Sequence, residues 1–197
     1  MPTINDSKRQ RLKCQLATET SRKWYRHLAY RAAVNILLSQ NEHNDLQILM
    51  IKRAIFPGDR WSGQMGFPGG KNEPEDHSIR MTAHREMWEE CGIDINQCSP
   101  LGRLSDVQAA PYKPMQKTLT ISPFVYEAEA KLEFTLSNEV AKTFWIPLSI
   151  FTEENRQYRM IREHKLAYFT YAGEKIWGLS LMMIDELLSL LKKNEPA

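Results

Sequence analysis

Apolar positions cluster first in Ala32 to Leu38 (Ala-Ala-Val-Asn-Ile-Leu-Leu) and again in Leu46 to Lys52 (Leu-Gln-Ile-Leu-Met-Ile-Lys), with the polar stretch Gln40 to Asp45 between them. Short aliphatic runs bounded by turn formers predict two buried strands, and the short gap predicts a hairpin. Arg53 to Gly66 holds Pro57, Gly58, Gly63 and Gly66 and predicts a loop. Leu101 to Gln108 predicts a strand, Ala109 to Lys117 a loop, and the alternating Thr118 to Tyr126 another strand, with a bulge or an edge position at Pro123. Tyr158 to Tyr171 predicts two strands, followed by a turn at Ala172 to Glu174. From Gly178 to Lys192, Leu181, Ile184, Leu187, Leu188 and Leu191 recur at helical spacing, a core-packing stripe and not a cofactor site. Residues 6 to 24 predict an N-terminal helix with a narrow stripe of Leu12, Leu16 and Ala17 and an anchor at Trp24.

The middle of the chain carries the chemistry. Gly66 to Ile93 runs from a loop marked by Pro68, Gly69, Gly70 and Pro74 into a segment rich in helix formers. Asp76 is placed as the N-cap and Gly92 as the C-terminal cap, leaving room for about four turns. Glu86, Glu89 and Glu90 fall at i, i+3 and i+4, within an arc of roughly 100° on the helix surface. Three like charges there repel one another, close to a helix C-terminus where negative charge is disfavoured. A hard divalent cation would offset that cost, and Mg²⁺ characteristically adds phosphate oxygens to its shell. Arg85 can pair with Glu89 one turn on. A solvated acidic face is the competing reading for the three glutamates alone.

Composition narrows the setting. A chain of 197 residues with 42% hydrophobic positions suits one domain with a sizeable core. A net charge of +2 implies no strong field toward nucleic acid or a membrane, and no apolar run approaches the length of a span. Cys14, Cys91 and Cys98 lack a C-x-x-C pair, which argues against a disulfide scaffold or a zinc site and suits a reducing cytoplasm. Met1 to Lys13 is polar and basic, with no secretory leader visible, and Asn194 to Ala197 is not a peroxisomal tail. Lys8, Arg9, Arg11, Lys13, Arg22, Lys23, Arg26 and Arg31 make the N-terminal region basic; a solvated face is favoured over a patch that attracts a polyanionic substrate. His27, His43, His77, His84 and His164 show no ligand spacing.

Arg85 to Ile93 (Arg-Glu-Met-Trp-Glu-Glu-Cys-Gly-Ile) matches the R-E-U-x-E-E-x-G-U end of the Nudix box, where U is a bulky aliphatic residue. Upstream, after five intervening residues from Gly70, stands Asp76 in place of Glu, and eight residues then separate it from Arg85, so the box is one residue longer than the family pattern. The chain resembles the Nudix hydrolase family, and within it the coenzyme A pyrophosphatase-type members, which carry F-P-G-G directly before the box, as in Phe67 to Gly70. Leu49 to Ala54 approximates the start of that subgroup's upstream signature, and Ile176-Trp-Gly-Leu-Ser180 resembles its motif after the last strand. Ser137 to Leu148 looks like the family segment in which an acidic residue precedes a strand ending in Trp-x-Pro-Leu; Ser149 to Gln157 would be the short helix after it.

The resemblance implies an α+β fold: a three-layer α/β/α sandwich with a mixed β-sheet over residues 30 to 192, after an N-terminal basic helical extension over 1 to 29 and before a tail at 193 to 197. It implies Mg²⁺ or Mn²⁺ held by Glu86, Glu89 and Glu90 with the Gly70 carbonyl, and a catalytic set of Arg85, Glu86, Glu89 and Glu139. Glu86, Glu89 and Glu139 all stay open as the proton acceptor, and Glu139 stays open as an ordinary loop residue. Arg53, Arg60 and Trp61 are candidates for substrate contact, because Arg suits phosphate and Trp suits stacking; solvated arginines and a core-capping Trp61 are the equal alternative. The implied partner is a small-molecule nucleotide-type diphosphate. Coenzyme A or a derivative, cut to adenosine 3',5'-bisphosphate and phosphopantetheine, comes first. ADP-ribose or another nucleotide pyrophosphatase substrate comes second, and a non-catalytic nucleotide-binding module third. A homodimer is left open.

Overall fold

A computed structural model describes residues 6–18, 30–109, 118–128, 131–161 and 163–192. The hairpin forms as expected. Strand β1 (Tyr30–Gln40) pairs antiparallel with β2 (Leu46–Arg53), Leu38 opposite Ile48. Asn41 closes the turn, its Oδ1 accepting the N–H groups of His43 at 2.9 Å and Asp45 at 2.8 Å. The ladder then stops. Toward the start of β1 the two strands part, and β4 (Gly69–Lys71) takes the place beside β1, with Val34 opposite Gly69. Strand β2 keeps its other neighbours, the two-residue β3 (Met65–Gly66) and β8 (Val140–Pro147), both antiparallel. On its far side β1 runs parallel to β7 (Leu119–Glu127), so the sheet is mixed.

The predicted strand at 101 to 108 is two strands, β5 (Ser99–Arg103) and β6 (Val107–Ala109), both antiparallel to β7. The break holds Asp106, buried against Arg103 and the Ser122 hydroxyl, which donates at 2.8 Å. It also accounts for Pro123, which makes neither an edge nor a bulge in β7. The Leu104 N–H donates to the Pro123 carbonyl, so the edge of Pro123 that lacks a donor faces the gap between β5 and β6, where no ladder bond is lost.

Alternation along the strands divides the core. Leu37, Leu49 and Ile51 face α2 (Ile79–Cys91) and meet Met87 and Cys91. Ile36, Leu38, Ile48 and Met50 face the other way, toward α1 (Asp6–Thr18), α3 (Gly178–Lys192) and a small second sheet. That sheet is β9 (Gln157–Ile161), β10 (His164–Tyr171) and β11 (Glu174–Trp177), whose tight turn has φ of 48° at Ala172 and 82° at Gly173. Leu181, Ile184 and Leu187 are buried as the stripe predicted, while Leu188 and Leu191 pack at its margin. The short helix expected over Ser149 to Gln157 is a single 3₁₀ turn at Leu148–Ile150 followed by turns. Leu12 and Leu16 are buried under α1, and Arg9 of the basic segment is paired with the buried Glu127 at 2.6 Å. Trp24 and most of the 109 to 117 loop lie outside the described residues. Among those residues no helix is long and apolar enough to cross a membrane.

The caps of α2 correct one expectation. Ser78, not Asp76, is the N-cap: its backbone is extended and its hydroxyl accepts the Met81 N–H at 3.2 Å. Gly92 closes the other end with φ 69°. Asp76 is drawn instead to Arg85, with Nη2 at 3.0 Å, because a guanidinium is a stronger partner than one backbone donor. Ser78→Ala should lower unfolding stability by about 1 kcal/mol, the ordinary worth of a cap. Asp76→Ala should lower it further, since it strands Arg85. Urea midpoints of the two variants check the order.

Candidate functional site

The site is built where β1 and β2 part. Gly69 holds φ 155°, and a Cβ there would lie 2.2 Å from the Ala33 carbonyl, so only glycine lets β4 lie this close to β1. A Cβ on Gly70 would lie 2.3 Å from Glu86 Oε1; the Glu86 carboxylate therefore rests directly on the Gly70 backbone. Asn35, fully buried, ties the layers together: its N–H donates to the Pro68 carbonyl at 2.8 Å and its Nδ2 to the Ala83 carbonyl at 2.6 Å.

The three glutamates of α2 sit in unlike surroundings. Glu90 is 3% exposed, and its Oε2 accepts the Gly69 N–H at 2.8 Å. Burial pushes its carboxyl up to about 8 against the pull of that bond and of Arg53, whose Nη1 stands 3.5 Å away; Glu86 and Glu139 push the same way as burial. At that distance Arg53 does not repay the desolvation, so burial favours the protonated form of Glu90. Burial also raises Glu86; Arg85 opposes this, and Glu89 and Glu139 reinforce it. Glu89 reaches into solvent and accepts Arg85 Nη1 at 2.8 Å.

Arg85 is the hub. Nε and Nη2 bond the two Asp76 oxygens at 3.2 and 3.0 Å, Nη2 also reaches the Lys71 carbonyl, and Nη1 is shared by Glu86 at 3.0 Å and Glu89. Burial alone would raise Asp76, but bonds from Arg85, the Glu73 N–H and the Thr82 hydroxyl outweigh it and hold its carboxyl at about 2. The lengthened box thus still delivers a carboxylate to Arg85, from a residue one carbon shorter.

Glu139 enters from the other strand pair. Its carbonyl accepts the Ala54 N–H at 2.8 Å beside the β2–β8 ladder, and its side chain lines the same cleft. Arg53 contacts Glu90 and, at 3.4 Å, Asp59; its buried Nε makes no hydrogen bond among the described residues. Asp59 turns the loop by accepting the Trp61 N–H at 3.1 Å, and the Arg60 guanidinium lies 4.7 Å over the Trp61 ring. Arg53, Arg60, Trp61, Gly70, Arg85, Glu86, Glu89, Glu90 and Glu139 therefore border one cleft of about 790 Å³. Sequence reasoning missed Asp59, for which loop composition gave no signal, and did not single out Met182 and Met183: they line the cleft beside Trp177, Leu179 and Ser180 of the Ile176 to Ser180 segment.

The donors suit a hard cation in kind: several carboxylates, two of them raised by burial, and a glycine backbone with no Cβ in the way. Among the described residues they do not form a closed metal cage, because Arg85 draws Glu86 and Glu89 to itself.

The NUDIX domain profile matches residues 29–164. The chain belongs to the NUDIX domain family. It is 32% identical over 180 residues to "Nudix hydrolase 15, mitochondrial" of Arabidopsis thaliana, covering 85% of this chain and 60% of that protein. It is 32% identical over 145 residues to the uncharacterized Nudix hydrolase NudL of Yersinia pestis, covering 71% and 70%. The crystal structure of a Nudix hydrolase from M. smegmatis, RenU, shares the fold with a TM-score of 0.58 at 14% identity, over 85% of this chain and 89% of that one. The mixed-sheet α+β expectation and the Nudix box reading agree with these matches.

Stability should track Glu90. Its folded carboxyl titrates near 8 and its unfolded one near 4.5, so the folded state holds the extra proton between those values. The contribution is fully present below about 4.5 and is lost as pH rises through 8, by up to a few kcal/mol. In EDTA the melting temperature should fall from pH 6 to pH 9, and Glu90→Gln should flatten that slope while melting no lower than wild type at pH 9. A wild-type curve that rises over this range would mean Glu90 is ionised and paired.

Proposed function

We propose that this protein is a divalent-cation-dependent hydrolase of nucleotide-type diphosphates, with coenzyme A or a derivative as substrate and Mg²⁺ or Mn²⁺ as the cation. The convergence of Glu86, Glu89, Glu90 and Glu139 with Arg53, Arg60 and Arg85 around Gly69 and Gly70 carries this reading. Acidic and basic side chains facing one cleft suit a cation and a polyanion together; either ligand alone would leave one set opposed by repulsion. Glu86, Glu89 and Glu90, with the Gly70 carbonyl, would hold the cation, which when bound neutralises diphosphate charge and acidifies a water. Arg60 binds phosphate and Trp61 offers a face to the base. Arg85 keeps Glu86 and Glu89 in place. One of Glu86, Glu89 or Glu139 accepts the proton of the attacking water, all three lining the cleft.

Coenzyme A is favoured because Trp177 to Ser180, within the segment that resembles the coenzyme A-type motif, lines the same cleft as the carboxylates. ADP-ribose is the second reading, since it presents the same adenosine and diphosphate to Trp61 and Arg60. Three cysteines outside any disulfide, two of them buried, suit a reducing compartment, for which we propose the cytoplasm.

Coenzyme A should turn over at least about tenfold more efficiently in kcat/KM than ADP-ribose, the scale one set of pocket contacts supplies. The reverse preference retires the coenzyme A assignment. No turnover of either with Mg²⁺ or Mn²⁺ retires the hydrolase reading in favour of a binding module. Arg60→Ala should raise KM more than it lowers kcat, as for a contact made equally in ground and transition states. Unchanged kinetics would return Arg60 to the solvated surface.

A further inference from the structure

The cleft has two unlike halves. Around Gly69 and Gly70 it is lined by charge. Its other half lies across the edge strand β4, on the opposite face of the sheet. Alternation along β1 sends Ala33 and Asn35 toward α2, and Ala32 and Val34 toward α3. Leu119 and Ile121 of β7 share that second face, through the parallel register of Tyr30 with Leu119 and Ala32 with Ile121. The first two turns of α3 add Leu179, Met182 and Met183 to the same cleft. Ile121 and Met183 are buried, but Val34, Leu119 and Leu179 are only half-buried and Met182 is 55% exposed. The Ser180 hydroxyl at this end already donates to the Met65 carbonyl.

We infer that this half is a subsite for an apolar group carried on the phosphate remote from the nucleoside, an inference that rests on the diphosphate reading above. Continuity decides the occupant. A molecule with its diphosphate over Gly69 and Gly70 and its nucleoside against Trp61 would have the apolar wall of the same cleft available to its remaining substituent. A polyhydroxylated group would leave hydroxyls without partners there, a desolvation cost an alkyl or branched aliphatic group avoids. Two adjacent methionines give the wall an adaptable surface that fits aliphatic groups of different shape. In the reaction, water adds to one phosphorus and the bridging oxygen leaves with the other. Each monophosphate product gains one oxygen-bound proton from that water, and nothing is oxidised or reduced.

The test uses ADP β-alkyl esters with methyl, butyl and octyl groups, and their α,β-methylene counterparts, which cannot be cleaved. Calorimetry with the methylene series and Mg²⁺ should show Kd falling at least about tenfold from methyl to octyl, since each methylene removed from water is worth up to about fourfold. For the cleavable esters kcat/KM should rise in parallel. Met182→Glu, on the exposed side of α3, should bring the octyl-to-methyl ratio of Kd toward one, with the melting temperature confirming an intact fold. A Kd independent of chain length in wild type overturns the subsite. Length-dependent binding without turnover of any ester keeps the subsite and refutes the hydrolase reading instead.

Discussion

The bond from the Gly69 N–H to Glu90 is the contact on which the site's geometry depends. It joins the last turn of α2 to β4, at the one place where β4 replaces β2 beside β1. One residue along, the Glu86 carboxylate rests on Gly70, so two consecutive glycines take the weight of two glutamates one helical turn apart. Nothing larger than hydrogen fits at either position without displacing a carbonyl or a carboxylate. A single backbone donor and an arginine at 3.5 Å are little compensation for a buried charge, whose desolvation costs several kcal/mol. That imbalance raises the Glu90 carboxyl and favours its protonated form, and a cation beside it would favour the ionised one.

The parting of β1 and β2 is the second constraint. Had the hairpin ladder continued, Arg53 would sit beside the start of β1 and no cleft would exist. Instead β2 carries Arg53 and, through β8, Glu139 to one bank, while β1 carries β4 and α2 to the other. Carboxylates distant in sequence reach one another because the sheet divides between them. The same division leaves the α3-facing side of β1 and β7 uncovered near the gap, which is why an acidic site and an apolar wall share one opening.

Much of this was legible in the chain. The hairpin, the α3 stripe and the Gly92 cap follow from period and turn chemistry, which are local. The spacing of Glu86, Glu89 and Glu90 placed them on one helix face without any knowledge of the fold. What failed was competitive or long-range. Asp76 is a fair cap by type, yet Arg85, nine residues on, outbids the helix terminus and leaves the cap to Ser78. Pro123 reads as an edge residue because no local signal reveals that its neighbour strand is interrupted. Asp59 is one acid in a polar loop until Arg53 is seen beside it. The exposure of Met182 depends on where α3 begins relative to β4, a separation of more than a hundred residues that periodicity does not address.

The bonds around Arg85 also rank the carboxylates by freedom of movement. Its Nε and Nη2 are committed to Asp76 and the Lys71 carbonyl, so the guanidinium cannot swing out of the site. Only Nη1 serves Glu86 and Glu89. Glu86 is confined further by Gly70 and Glu90 by Gly69, whereas Glu89 and Glu139 are exposed. Two carboxylates are therefore fixed by the fold, and two can re-aim at the cost of one shared hydrogen bond and some side-chain entropy. A site of this kind is pre-organised at the strand and adaptable at the rim. Under the diphosphate reading proposed above, that division would suit a cleft whose charged end receives a constant group while its rim meets groups that vary.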